Sequence, residues 1–156
     1  MAITFRLMTR DDLPLVHEWH QRPHVARWWT ARTTFEETEA HYVPTIEGTE
    51  PTQHYLALLD GEPLGMIQTY LVSDYPDYAA LIEEGEGTAG LDLFIGEKAQ
   101  TGRGLGTEMI GRFEEEIVFA GKFDAEAEIV FRFEEGSDLF GVVVDVDDNF
   151  GDAEGF

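Results

Sequence analysis

The chain has 156 residues, 43% of them hydrophobic, which is the length and apolar content of one globular domain with a sizeable core. It holds no cysteine, which excludes a disulfide framework, a thiolate metal site and a cysteine nucleophile. With 32 acidic residues against 10 basic ones, the formal net charge is −22. Such a field repels nucleic acid and anionic lipid and attracts polycations, and an acidic surface with only two lysines, Lys98 and Lys122, equally suits adaptation to high salt.

In chain order, "ITFRLM" predicts a short strand. Thr9 with Asp12 three residues on is a capping-box pattern, and Leu13, Val16, Trp19 and His20 then recur at helical spacing until Pro23 and His24 interrupt. "HVARWWTART" reads as a compact aromatic turn before a second helix, "FEETEAHYVPTI". "HYLALLDGEPLGMIQTYLV" predicts a hairpin turning at Asp60-Gly61. A polar loop is expected from about Ser73 to Gly87, then a strand, "AGLDLFIG". Leu105, Met109, Phe113 and Ile117 repeat every four residues on one helix face, with Glu108 and Arg112 outside. Two further strands, "AEIVFRF" and "FGVVVDV", join through "EEGSD". No apolar run reaches the roughly 18 residues of a membrane span, and "MAITFRLMTRDD" has neither a basic n-region nor a hydrophobic h-region, so a cytoplasmic protein without a membrane partner is expected.

Between the strand and the amphipathic helix lies "TGRGLGT", whose glycines alternate with other residues. A glycine loop at that place lets backbone N–H groups converge, and the helix N-terminus adds partial positive charge. Gly102, Arg103, Gly104, Leu105, Gly106 and Thr107 thus form an anion cradle from backbone donors, one hydroxyl and one guanidinium. The pattern is neither Walker A, which needs Lys-Ser or Lys-Thr after its last glycine, nor the dinucleotide fingerprint. His17, His20, His24, His41 and His54 are scattered without a metal-binding spacing, so no metal is expected. On the residues alone, Asp92 reads as a strand acid paired to backbone or arginine, and Trp28 reads as a plug under a turn.

The order strand, "GRGLGT", amphipathic helix resembles the acetyl-CoA-binding core of the GCN5-related N-acetyltransferases. Four ordered pieces, "RLMTRDDLPLVHEWHQRPHVARWW", "YLALLDGEPLGMIQTY", "GLDLFIGE" and "GRGLGTEMI", narrow the resemblance to aminoglycoside 6′-N-acetyltransferases over roughly the first 120 residues. A group that acylates lysine-type side chains in siderophore synthesis shares the aromatic segment and is the nearest alternative. The resemblance implies an α/β fold with a mixed, largely antiparallel central sheet flanked by helices, and acetyl-CoA as co-substrate. It places the pyrophosphate in the glycine loop, pantetheine along Leu93, Phe94 and Ile95, and Asn149 also beside the cofactor. It makes Asp92 the base that frees an attacking amine of its proton, a step such acyl transfer requires near pH 7. For a cationic small-molecule amine it implies contacts from Trp28, Trp29, Tyr42, Gln68, Asp77, Glu83 and Glu84. A monomer or homodimer is expected.

The resemblance ends near Ala120. Residues 121–156 are atypical within the single expected domain 1–156, and none of the five tyrosines follows the glycine loop, where the resembling enzymes place the phenol that protonates the departing thiolate. A non-catalytic module binding acyl-CoA or a cationic ligand therefore stays open beside the two enzymatic readings.

Overall fold

The computed structural model describes residues 2–27, 29, 32–82, 88–117, 128–132 and 140–145. Trp28, Glu83, Glu84 and Asn149 lie outside the described residues. Strand β1 (Ile3–Leu7) is followed by helices α1 (Leu13–Gln21), α2 (Pro23–Ala26) and α3 (Phe35–Ile46). The hairpin β2 (Gln53–Leu59) and β3 (Glu62–Leu71), helix α4 (Pro76–Ile82), strand β4 (Thr88–Ile95) and helix α5 (Leu105–Phe113) come next. Strands β5 (Glu128–Arg132) and β6 (Phe140–Asp145) complete a sheet of order β1-β2-β3-β4-β6-β5, in which every described pairing is antiparallel.

Local chemistry accounts for most of these boundaries. The Thr9 N–H donates to Asp12 Oδ2 at 2.8 Å, and Arg6 grips both oxygens of that carboxylate at 2.7 Å, which ties β1 to the entrance of α1. Burial pushes the Asp12 carboxyl up, but the Arg6 and Thr9 hydrogen bonds outweigh it and hold the group below its ordinary value. Helix α3 opens on Thr34, whose hydroxyl accepts the Glu37 N–H at 3.2 Å. At the hairpin, Asp60 and Gly61 both have positive φ, 50° and 86°, as a tight turn matched to strand twist requires.

Strand alternation then sorts the apolar residues onto two faces. Leu91, Leu93 and Ile95 join Tyr55, Ala57 and Ile67 beneath α5, packing on Leu105, Met109 and Phe113. On the other face Leu56, Met66 and Phe94 meet Leu13, Val16, Trp19, Val25 and Tyr42 from the first three helices. No helix among the described residues is long and apolar enough to cross a membrane.

One expectation is corrected here. The stretch read as a polar loop from Ser73 contains α4, which starts at Pro76 with Asp77 in its first turn. Proline at a helix start and an acid beside the positive end favour this short helix. Its seven residues are too few to show an apolar period, and Leu81 remains 80% exposed.

Candidate active site

Three neighbouring strands set one row of polar side chains into an otherwise apolar surface. Register places His54 of β2 opposite Gln68 of β3, and Gln68 opposite Asp92 of β4. Because Leu91 and Leu93 point to the α5 side, Asp92 projects to the face of the first three helices. The Gln68 carboxamide donates from Nε2 to Asp92 Oδ2 at 2.9 Å, while its Oε1 lies 2.9 Å from His54 Nε2. Tyr70, two residues along β3 and with Tyr78 beside it, donates its phenolic proton to Asp92. Its ring crosses β4 at Gly90, where an added Cβ would stand 2.3 Å from the ring.

This row floors a cavity of about 480 Å³. Tyr70, Tyr75 and Tyr78 wall it, with ring centroids 5.6 Å (Tyr70–Tyr75) and 6.2 Å (Tyr70–Tyr78) apart, and His41, Thr45, Thr52 and exposed Glu50 complete the lining. Burial raises the Asp92 carboxyl above its ordinary value despite the stabilising bonds from Gln68 and Tyr70. Burial first, then the neighbouring His41, lowers His54 to about 3, and burial with the nearby Arg32 lowers His41 to about 4. Both imidazoles are neutral at pH 7. The lining therefore offers phenols, hydroxyls, neutral imidazoles and two carboxylates, with no lysine or arginine, and this suits a cationic, hydroxylated ligand.

At its far end β4 is clamped by residues at the end of α1, at the start of α2 and between them. Arg22 donates to the Gly96 carbonyl at 2.8 Å, His24 Nε2 to the Ile95 carbonyl at 3.0 Å, and Trp19 Nε1 to Glu97 at 3.1 Å. A 3-10 turn, Lys98–Gln100, then leads to the glycine loop. Gly102 and Gly104 adopt φ of 71° and 77°, Gly104 as the N-cap of α5, and a Cβ on either would meet nothing within 4 Å. The loop backbone therefore faces open space. Leu105, Gly106 and Thr107 occupy the first helical positions, whose amides have no partner within the helix. Thr107 is exposed at this end and Leu105 and Gly106 are buried, while exposed Arg103 donates to Gln100. These residues fit a polyanion without any resident metal ligand, and no group of three or more His, Asp or Glu able to hold a metal occurs among the described residues.

Of the residues expected at the substrate, Gln68 lies in the cavity beside Asp92. Tyr42 does not: it is 0% exposed, with its hydroxyl 2.6 Å from His20 Nε2, so its ring belongs to the core instead of offering a face to a ligand. Trp29 is half-buried, its ring edge-on to Phe94 at 5.2 Å. Asp77 is exposed on α4 and outside the cavity lining, where Tyr75 and Tyr78 of the same segment stand instead. On β4, Leu93 is opposite Phe140 in the ladder with β6, the last described pairing between those strands, and Phe94 and Ile95 follow it. The residues that sequence reasoning missed, His41, Thr45, Thr52, His54 and Tyr70, converge only through cross-strand register and the packing of α3. The Tyr70–Gly90 pairing left one legible trace, a glycine inside a strand.

Residues 8–130 match the family described as acetyltransferase (GNAT) domain. Two aminoglycoside N(6′)-acetyltransferases of type 1, from Klebsiella pneumoniae and Serratia marcescens, are each 35% identical over 112 residues, covering 70% of this chain. The chain spans 56% of the length of these curated relatives. Among solved structures, the aminoglycoside acetyltransferase AAC(6′)-Ib in complex with coenzyme A has the same fold, with a TM-score of 0.68 at 24% identity over 91% of this chain and 94% of that one. The same enzyme with ribostamycin and coenzyme A gives a TM-score of 0.64 at 24% identity, over 93% and 94%.

Proposed function

The chain belongs to the acetyltransferase (GNAT) domain family, and on that footing we propose that it moves the acetyl group of acetyl-CoA to a primary amine of a cationic small molecule, with the 6′-amine of an aminoglycoside as the foremost acceptor. The observation that carries this reading is a half-buried carboxylate, Asp92, at the floor of a cation-suited cavity, on the strand that feeds the open glycine loop. In the reaction, the acceptor nitrogen attacks the thioester carbonyl, the C–N bond forms, and the C–S bond breaks to release the CoA thiolate. The proton that the amine must lose goes to Asp92. Backbone amides of the glycine loop and the start of α5 hold the pyrophosphate, and Phe94 and Ile95, past the described ladder with β6, run beside the pantetheine arm. Gln68 and the tyrosine wall receive the acceptor, supported by the polyol-binding chemistry of phenol rings and hydroxyls. Trp29 and Asp77 bound the approach to it.

Calorimetry with acetyl-CoA, followed by a thiol-release assay over panels of amines and acyl-CoAs, tests the proposal. Turnover with an aminoglycoside that Asp92→Asn reduces by about 10²-fold or more, with acetyl-CoA binding retained, supports it. Acetyl-CoA binding without turnover on any amine would make the chain a binding module, and a preference for long acyl chains on a lysine-type amine would move it to the siderophore group.

A further inference from the structure

The hydrogen bonds behind Asp92 form a chain with two self-consistent directions. From the carboxylate it runs through Gln68 to His54 Nε2 at 2.9 Å, and from His54 Nδ1 to Thr45 Oγ1 at 2.8 Å. Thr45 Oγ1 in turn lies 2.7 Å from the Tyr42 carbonyl, a second acceptor for its proton. His54 is 4% exposed and uncharged at neutral pH, so it carries one N–H. With Asp92 ionised, Gln68 must present its NH₂ to the carboxylate and its oxygen to His54. The imidazole then holds its hydrogen on Nε2, and Nδ1 accepts from the Thr45 hydroxyl. With Asp92 protonated, the carboxyl donates to Gln68 Oε1, the turned amide donates to His54 Nε2, Nδ1–H donates to Thr45, and Thr45 donates to the Tyr42 carbonyl. Every polar atom is satisfied in both arrangements.

We propose that His54, backed by Thr45, is a positioning residue that lets Gln68 serve Asp92 in both of its charge states, its single N–H moving from Nε2 to Nδ1 when Asp92 takes up a proton. One proton is gained, and it resides on Asp92. His54 stays neutral and changes tautomer by exchange with solvent in the cavity it lines. The other groups facing this chain are Tyr70 on Asp92, Tyr78 behind Tyr70, Glu50, Tyr75 and His41 across the cavity, and Arg32 and His20 near His54. None of them lies between Asp92 and Gln68, whose contact is direct. The catalytic meaning of the device rests on the reading of Asp92 as base, whereas the reversal itself is observable without turnover.

The test is nitrogen-15 NMR of the whole chain labelled at histidine, titrated over the full pH range in which circular dichroism shows the fold intact, with the His54 signals identified by their loss in His54→Gln. The expected result is protonation on Nε2 at the alkaline end and on Nδ1 at the acid end, with the transition absent from Asp92→Asn. One tautomer throughout the wild-type titration, or the same switch in Asp92→Asn, overturns the proposal. Kinetics supply the second arm. In His54→Phe, where the Gln68 amide loses the partner that fixes it in either arrangement, kcat/KM is expected to fall roughly tenfold on both sides of its ascending limb, with His54→Gln restoring it. A kcat/KM unchanged in His54→Phe while Asp92→Asn is inactive overturns the positioning role and spares the base. Full activity in Asp92→Asn overturns the base and leaves the tautomer measurement to stand or fall by itself.

Discussion

Gly104 has the most demanding backbone position of the site. Its φ of 77° lies where a branched L-residue is strained by roughly 1–2 kcal/mol, and its α-carbon faces open space instead of a packed neighbour. Gly104→Val is therefore expected to lower the melting temperature by only a few degrees. It should weaken acetyl-CoA binding on the order of tenfold or more, because the side chain enters the space a phosphate needs beside the α5 amides. Unchanged affinity in a folded variant would remove the glycine cradle from the site. Asp92 carries the complementary expectation for pH. Burial raises its carboxyl above the ordinary value, so the ionised base is populated only as pH climbs through that raised value, and kcat/KM should rise along an acid limb alkaline of an ordinary aspartate. A rate independent of pH on the acid side, measured where the fold is intact by circular dichroism, would deny it the base role.

At the scale of elements, the site depends on what crosses between β3 and β4. An alanine at Gly90 puts its Cβ 2.3 to 2.6 Å from two ring carbons and the hydroxyl oxygen of Tyr70, which must swing away and release Asp92. Gly90→Ala should cost about 1–3 kcal/mol of stability and lower kcat while acetyl-CoA binding persists, checked by thermal melts, steady-state kinetics and calorimetry. Equal kcat would show that the Tyr70 contact does not matter to turnover. The elements themselves were largely legible. Thr9 and Asp12 marked the entrance to α1, Asp60-Gly61 the hairpin, and the four-residue repeat of Leu105, Met109 and Phe113 the apolar face of α5. The glycine loop was legible as a local pattern on one strand-loop-helix unit, whereas Asp92, on the residues alone a paired strand acid, stands out only through the family resemblance. The cavity was not legible. His54, Gln68 and Asp92 are 14 and 24 residues apart along the chain and become a row only through strand register, which no local period encodes. Tyr42 looked like an exposed aromatic because helical spacing gave no sign that α3 would turn that ring toward Trp29, His20 and His54. In the aromatic segment the resemblance implies substrate contacts from Trp28 and Trp29, whereas Trp19, Arg22 and His24 just before them hold the end of β4 in place.

Across the whole molecule, a net charge of −22 acts on the two proposed substrates with opposite signs. Acetyl-CoA is a polyanion that must approach against the overall field, and on the proposed reading its phosphates are held by backbone amides and one arginine at short range. A multiply charged amine is drawn by the same field toward a cavity without lysine or arginine in its lining. Raising ionic strength from 0.1 to 1 M shortens the Debye length from about 10 Å to about 3 Å, which removes the long-range part of both effects but leaves the contacts within the cradle. The KM for acetyl-CoA should consequently fall with added salt while the KM for an aminoglycoside rises. Self-repulsion within the fold is screened at the same time, so the melting temperature should climb over the same range. Measuring both KM values and the melting temperature in one sodium chloride series separates the contributions. A rising melting temperature with an amine KM that does not move would assign the acidic surface to a high-salt habitat alone. Opposite shifts in the two KM values would show that the field also sorts the substrates, repelling the donor at long range and concentrating the acceptor at the site.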